Sequence, residues 1–329
     1  VKRLALLSPA LALVACSGVQ TPLEPWGVQA KLIANLSWLL FAGGTAIFVL
    51  VLGLLAFALL APARLRQAFA SRRFVLLGGI AFPAITLAAL LVHSMGISRA
   101  LVLPQEAQPL RIEVIGRQYW WEVRYPDTGE DPGGMVVTAN EIHLPVGREV
   151  ELLLSSGDVI HSLWLPNLQG KLDMIPGRVN RLRLRADRTG TLRGQCAEFC
   201  GLQHAMMAFW AVVREPAEFD AWLARQQAPV PPPQTVEQAR GMQVFGEAGC
   251  GACHTVRGTE WQGRLGPDLS RIGSRLSLGA GLHEVHRATL AGWVAGTQDI
   301  KPGNMMPAYG RALPGEDLLA LAAWLEALR

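Results

Sequence analysis

Residues 32–61, LIANLSWLLFAGGTAIFVLVLGLLAFALLA, carry no charged side chain. A hydrocarbon core ~30 Å thick is crossed by about 20 apolar residues in a helix, so this run spans a bilayer even when tilted. A helix buried inside a water-soluble domain rarely extends so far without a charge. A second run, FVLLGGIAFPAITLAALLVHSM at 74–95, is as apolar and contains Pro83, which removes one helical hydrogen bond and predicts a kink. The segment between them, PARLRQAFASRR, holds Arg64, Arg66, Arg72 and Arg73 and reads as cytoplasmic by the positive-inside rule. Both outer ends of the hairpin, and everything after residue 100, then lie on the opposite side. An apolar share of 50% agrees with membrane insertion.

Residues 1–16, VKRLALLSPALALVAC, have the basic start, apolar middle and small-residue end of an export signal. Leu13-Val14-Ala15-Cys16 resembles a bacterial lipobox, which makes Cys16 a lipidation candidate; the alternative is an ordinary signal with Cys16 incidental. The hairpin is expected to occupy 17–100. The formal net charge of +4 is small for 329 residues, and no basic stripe with interleaved aromatics is present, so a nucleic-acid partner is not expected.

From 101 to 225 the pattern changes. RIEVIGRQYWWEVRY, MVVTANEIHLPVG, REVELLLSS, VIHSLWLP, RVNRLRLRA and AFWAVVRE are short runs rich in β-branched and aromatic residues, separated by Pro, Gly and Asp. This is the rhythm of an all-β sandwich or barrel. QQAPVPPPQ at 226–234 is a proline-rich, semi-rigid linker, and a further domain is expected over 235–329.

The five cysteines fall into motifs of their own: Cys16, the pair Cys196 and Cys200, and the pair Cys250 and Cys253. None remains for a structural disulfide. CAEFCGLQHAMM, 196–207, spaces two thiols, an imidazole and a thioether as C-x3-C-x3-H-x2-M. Soft sulfur with imidazole selects copper over hard-oxygen metals, with zinc as competitor. A zinc site rarely recruits a thioether. A turn with a buried cysteine and a satisfied histidine is the bland alternative, weakened by a second histidine, His161, in a strand-like run upstream.

Cys250-Gly251-Ala252-Cys253-His254 is the C-x-x-C-H signature of covalent c-type haem attachment, in which both thiols add to haem vinyl groups and the histidine sits under the iron. KPGNMMPAYG, 301–310, offers Met305 and Met306 as distal ligand. A Met/His pair suits an electron carrier and leaves no open position for oxygen. EDLLALAAWLEAL at 316–328 has helical apolar spacing. His283 and His286 stand three apart, the spacing of a metal pair on a helix, although a solvated helix face is the plainer expectation.

Taken together, CAEFCGLQHAMM, GDVIHSLWLPNLQGKLDMIPGRVN at 157–180 and GRQYWWEVRYP at 116–126 resemble subunit II of cytochrome c oxidase. TVEQARGMQVFGEAG, Gly266-Pro267-Asp268-Leu269 and the Asn-x-Met-Pro pattern at 304–307 resemble small class I cytochromes c. The combination is similar to subunit II of bacterial haem-copper oxidases of the caa type, with cytochrome c fused at the C-terminus. The resemblance implies a two-helix transmembrane hairpin, a cupredoxin Greek-key barrel and an all-α cytochrome c domain.

It also implies a dinuclear copper A centre. Cys196 and Cys200 would bridge the two coppers, His161 and His204 would each bind one, and Met207, rather than its neighbour Met206, and the carbonyl of Glu198 would be weak ligands. The Glu198 carboxylate would reach a magnesium ion at the interface with catalytic subunit I. Asp158 and Asp173 match positions facing that interface, although capping or solvated roles serve them equally. Cys250 and Cys253 would hold haem c, with His254 and Met306 axial and the Pro267 carbonyl fixing the His254 tautomer.

Tyr119, Trp120 and Trp121 would form the electron-accepting surface. Tyr119 stands where the family usually has tryptophan, and Arg117 where it has histidine, so the docking of a free cytochrome c is in question. The second apolar run also lacks the acidic residue that many family members carry near a proton pathway. The function implied is acceptance of an electron by haem c and its passage through copper A to the haem of subunit I, where oxygen reduction is coupled to proton translocation. The implied partners are subunit I, other oxidase subunits, membrane lipid and an upstream cytochrome c or quinol–cytochrome c reductase. The implied location is the bacterial inner membrane, with both redox domains periplasmic. A copper-A nitric oxide reductase of the same superfamily and a free-standing membrane-anchored electron shuttle are the competing readings.

Overall fold

The computed structural model describes residues 18–69, 71–103, 108–126 and 134–329. The expected export signal and Cys16 lie outside the described residues. Among the described residues, two helices are long and apolar enough to cross a membrane, α1 (Val28–Leu60) and α3 (Arg72–Val102), with the short helix α2 (Ala63–Phe69) between them in sequence. Their large apolar side chains point outward, Phe48, Leu60 and Val92 among them. Water would make such exposure costly, and lipid does not. The irregularity expected at Pro83 takes the form of a π-helical turn, Leu77–Ala81, directly ahead of it. A wider turn lets the helix absorb the missing N–H and the ring clash with the preceding turn.

The first turn of α1 is tied to the β domain. Trp26 and Ala30 donate backbone N–H bonds to the carbonyls of Asn167 (2.7 Å) and Leu168 (3.1 Å). The buried Gln29 accepts from the Arg185 amide at 3.1 Å. Lys31 pairs with Asp187 at 2.6 Å.

Among the described residues, ten strands form two five-stranded sheets. The first has the order β3 (Val136–Ala139), β2 (Trp120–Tyr125), β1 (Leu110–Arg117), β5 (Val150–Ser156), β8 (Asn180–Leu184). The second runs β4 (Glu141–Pro145), β10 (Ala208–Arg214), β9 (Gly190–Cys196), β6 (His161–Trp164), β7 (Leu172–Met174). Pairing is antiparallel except for β1 with β5 and β4 with β10. Leu110, Ile112 and Val114 alternate inward on β1, as a half-buried strand requires. Each such side chain contributes roughly 1.5–3 kcal/mol by leaving water.

The expected single run through MVVTANEIHLPVG is broken at Asn140, whose φ of 62° lets the chain leave one sheet for the other. Its side chain accepts the Trp121 amide at 2.9 Å, so the polar residue is satisfied at the crossing. Trp121 and Phe209 meet edge to face at 5.3 Å in the core between the sheets. Phe209 lies across the strand from Gly194, where a Cβ would come within 2.1 Å of the ring.

Helix α4 (Pro216–Gln227) follows β10, so the expected linker begins two residues inside its last turn. Pro216 fits its first turn, and Phe219, Trp222 and Leu223 fill the i, i+3, i+4 face buried on the barrel. The C-terminal domain is helical: α5 (Val236–Glu247), α6 (Arg287–Ile300) and α7 (Gly315–Ala327). Thr235 caps α5, accepting from the Gln238 amide at 3.1 Å. A Cβ on Gly241 would strike the Ala320 carbonyl at 2.1 Å, so glycine permits the close α5–α7 crossing. Phe245, Trp261 and Trp324 form an aromatic cluster in this second core.

The two folded domains touch. The Ala208 amide donates to the Ala280 carbonyl at 3.0 Å. Arg271 donates to the carbonyls of Arg225 and Ala228 at the end of α4, at 2.8 and 2.6 Å. Val230 of the proline-rich segment donates to Arg257 at 3.2 Å.

Candidate metal centre and haem-attachment site

Two strand ends and one loop meet at the sulfur cluster. His161 opens β6, Cys196 closes β9, and the loop from 197 to 207 returns into β10. Leu163 pairs with Cys196, which sets the histidine strand beside the cysteine strand. The ligand atoms of His161, Cys196 and Cys200 lie within 4.8 Å of one another, and all three residues are buried. Cys196 Sγ stands 3.8 Å from His161 Nδ1, 3.9 Å from Cys200 Sγ and 3.2 Å from the Glu198 carbonyl oxygen. Cys200 Sγ stands 3.7 Å from His204 Nδ1 and 3.9 Å from Met207 Sδ. Donors about 2.0–2.3 Å from a tetrahedral metal stand roughly 3.3–3.8 Å apart, so these separations fit shared metal coordination.

The family resemblance implies Met207 rather than its neighbour Met206 at this site. Met207 is fully buried and faces Cys200, whereas Met206 is half exposed. His161 Nε2 is 2.8 Å from Asp158 Oδ1, which leaves Nδ1 turned toward the sulfur. Asp158 is itself fixed by the amides of Gln118 and Val159, each at 2.7 Å. Burial pushes the His161 imidazole down, but the Asp158 bond and the Cys196 sulfur outweigh it and hold the group above its ordinary value. The hydrogen bond between the two sulfurs holds the Cys196 thiol well below the usual range and pushes Cys200 up, since two adjacent thiolates repel unless a cation lies between them. Glu198 turns its carboxylate away from the sulfurs to Lys171, at 3.1 Å. Asp173 also faces Lys171, at 3.5 Å.

The aromatic triplet is divided. Trp121 is in the core, Trp120 is partly exposed beneath the Arg117 guanidinium, and Tyr119 is buried. The Tyr119 hydroxyl accepts the Leu202 amide at 3.1 Å, bracing the ligand loop. Gln118 Nε2 donates to the Cys200 carbonyl at 2.6 Å. Arg117 pairs with Glu122 at 2.8 Å.

In the helical domain, Cys250 and Cys253 flank a single 3-10 turn, and the His254 amide donates to the Cys250 carbonyl at 3.0 Å. His254 Nδ1 bonds to the Pro267 carbonyl at 2.7 Å, leaving Nε2 as the ligand nitrogen. Burial pushes this imidazole below its ordinary value, only partly opposed by the Pro267 bond, so the neutral form needed by a metal prevails. Gly266 sits against the ring, where a Cβ would stand 2.5 Å from Cε1. Met306 is partly buried against the domain core, its amide held by Asn304 Oδ1 at 2.8 Å, while Met305 is 88% exposed. The donor set on this domain fits a covalently held haem.

His283 and His286 do not share a helix face. His286 is the N-cap of α6, in a reciprocal capping box with Thr289, and His283 lies in a bridge to Leu278. Both are exposed, and no third ligand joins them among the described residues.

Sequence reading missed Lys301. Its ammonium is buried, 2% exposed, and donates to the carbonyls of Tyr119 (2.9 Å), Met206 (2.7 Å) and Gly279 (2.7 Å). Burial pushes it down to about 7. No local pattern marks such a residue, because two of its three partners lie far away in the chain.

Residues 110–214 match the family described as cytochrome c oxidase subunit II, periplasmic domain, and residues 238–329 match cytochrome c. A cytochrome c oxidase subunit 2 from Alkalihalophilus pseudofirmus is 38% identical over 218 residues, covering 66% of this chain and 61% of that protein. The Bacillus subtilis protein of the same name is 30% identical, covering 67% and 62%. A probable cytochrome c oxidase subunit 2 from Rickettsia bellii is 31% identical over 230 residues, covering 63% of this chain and 82% of that protein. The chain thus spans about three-fifths of the length of the first two relatives.

Proposed function

The chain belongs to the cytochrome c oxidase subunit II family, and from that premise we propose that it carries electrons from its own haem domain through a copper pair to the catalytic subunit of an oxidase. Membership and the two apolar helices support a membrane protein with a copper-binding β domain and a haem-binding C-terminal domain, and oxidase subunits as partners are part of the proposal. The proposal adds the details. Its domains are a hairpin over 17–100, a copper domain over 101–225 and a cytochrome c domain over 235–329. Cys196, Cys200, His161 and His204 would hold the copper pair, with Met207 and the Glu198 carbonyl as weaker donors. Cys250 and Cys253 would hold haem covalently, with His254 and Met306 as the iron ligands.

When bound, the two groups supply one-electron redox chemistry. The residues' part is to keep that chemistry free of rearrangement. Asp158 fixes the ring of His161, Tyr119 and Gln118 brace the ligand loop, and the flanking strands β6, β9 and β10 are locked by their ladders. Met207 and both thiols are buried, which keeps water away from the cluster. Pro267 fixes the tautomer of His254, and Asn304 fixes the loop carrying Met306. With His254 and Met306 both assigned to the haem iron, that centre would keep no open position for oxygen. Electron carriage therefore accounts for the chain's share of the work, and oxygen chemistry and proton translocation fall to subunit I.

The donor is a cytochrome c or a quinol–cytochrome c reductase, and the membrane is the bacterial inner membrane with both redox domains periplasmic. Glu198, which in this chain pairs with Lys171, is proposed to turn to magnesium when subunit I is present. Of the aromatic triplet, Trp120 retains the exposure an electron-accepting surface needs.

The observation that supports the proposal is the set of five separations, 3.2 to 3.9 Å, that link Cys196 and Cys200 to each other and to His161, the Glu198 carbonyl, His204 and Met207. Metal analysis and electron paramagnetic resonance on the full chain in detergent test it. Two coppers sharing one unpaired electron, together with one low-spin haem, are expected. A single copper, or zinc, overturns it.

A further inference from the structure

We propose that Lys301 is a positioning residue that latches the C-terminal domain onto the ligand loop of the β domain, so that the two proposed redox sites are joined by a short hydrogen-bonded bridge in addition to the linker. The inference rests on the functional reading above and adds a docking role to a residue outside both ligand sets.

Lys301 is one of only four lysines in the chain and the only one after residue 171. It follows α6 directly and inserts between the domains. Two of its acceptors, the carbonyls of Tyr119 and Met206, belong to the β domain, and the third, Gly279, belongs to its own. No carboxylate pairs with it among the described residues. Three N–H groups thus meet three carbonyls, which satisfies an ammonium completely and leaves nothing for water. Such a buried cation contributes little net stability compared with an apolar side chain of similar size. It contributes specificity, because a slip between the domains strands at least one N–H away from its acceptor.

The contacts on either side give the latch its meaning. Met206 precedes Met207 and shares a peptide unit with it, so Lys301 holds the segment carrying a proposed copper ligand. On its own side, the Lys301 carbonyl accepts from Asn304 Nδ2 at 2.6 Å, and Asn304 Oδ1 accepts the Met306 amide at 2.8 Å. A continuous bridge therefore runs from the 206–207 peptide through Lys301 and Asn304 to Met306. The Ala208–Ala280 bond and the grip of Arg271 on the end of α4 hold the same docked arrangement.

Amine labelling of the unmodified full chain with an N-hydroxysuccinimide ester, read by peptide mass spectrometry, tests the latch without using either cofactor. Lys31 and Lys171, with side chains 54% and 48% exposed, should react freely, and Lys301 at least about tenfold more slowly. Equal labelling of Lys301 overturns the proposal. In chain loaded with both metals, K301M should keep the copper and haem spectra and the reduction of each centre by a small external reductant, yet slow internal electron exchange after photoreduction of the haem. The Ala208–Ala280 bond and the grip of Arg271 remain in the variant, so the loss expected is of register between the ligand loop and the segment carrying Met306, and with it of fast exchange. Unchanged exchange in K301M also overturns the latch. If K301M fails to fold, the labelling result on the unmodified chain still decides. A chain that binds neither metal would sink the functional reading and leave the labelling outcome standing by itself.

Discussion

Gly116 on β1 lies directly under the ring of His161, and a methyl group there would stand 2.7 Å from its Cδ2. The absence of a side chain at 116 is therefore part of how the first histidine of the cluster is placed. Gly116→Ala should push the ring off Asp158 and the Cys196 sulfur at an overpacking cost of about 1–3 kcal/mol. Copper content measured against haem content should fall in this variant. Full copper with an unaltered spectrum would show that the ring has room to move.

Met207 and Met206 are adjacent in sequence and opposite in environment. Met207→Leu keeps the buried volume, so the fold should hold and the copper electron paramagnetic signal should change. Met206→Leu, on a half-exposed side chain, should leave the signal alone. A reversed pattern would move the thioether assignment to Met206.

The haem domain poses the same question. Met306→Leu should lower the haem reduction potential in a redox titration while leaving the copper signal intact, since a thioether ligand raises the potential. Met305→Leu, at an 88% exposed position, should do neither. A drop in potential on changing Met305 instead would reassign the distal ligand.

Glu151 gives the barrel a defined acid sensitivity. Burial raises its pKa, but the Arg183 hydrogen bonds at 2.6 and 3.0 Å and the charges of Arg183, Arg181 and Arg111 outweigh burial and hold the carboxyl below its usual value. A carboxyl depressed by folding contributes stability that is present above its unfolded pKa, about 4.3, and lost as pH falls through the folded value. The thermal midpoint of the β domain should drop over that acid window. Glu151→Gln should lower stability at neutral pH by about 1–3 kcal/mol and flatten the acid limb. An unchanged pH profile in the variant would place the sensitivity elsewhere.

Much of the site was legible because its chemistry demands fixed local spacing. Cys196, Cys200, His204 and Met207 sit on one loop, and Cys250, Cys253 and His254 on one turn, so a short window contains each set. The apolar spans were equally plain, since an uncharged helical run of that length is rare inside a water-soluble domain and suits lipid. Helix α4 was readable and went unread: Pro216 at its start and the 219, 222, 223 spacing are ordinary helix signals, obscured by the proline-rich run that follows. His283 and His286 are solvated, as the plainer expectation had it, but they share no helix face, because a three-residue separation means a shared face only inside a helix and His286 is the cap. Lys301 and Gly116 were beyond reach for a different reason. Their roles come from groups brought near by tertiary folding, and no property of the neighbouring residues records that.

The proline-rich segment has a consequence for traffic outside the membrane. Val230 is bonded to Arg257, and Arg271 grips the carbonyls of Ala228 and Pro229, so the chain leaving α4 is fastened to the domain it introduces. The C-terminal domain is consequently held at its entry instead of hanging from a free tether. Under the proposed function, a donor would therefore have to come to a surface that stays in place, and the rate of productive visits would be set by diffusion and by its orientation on arrival.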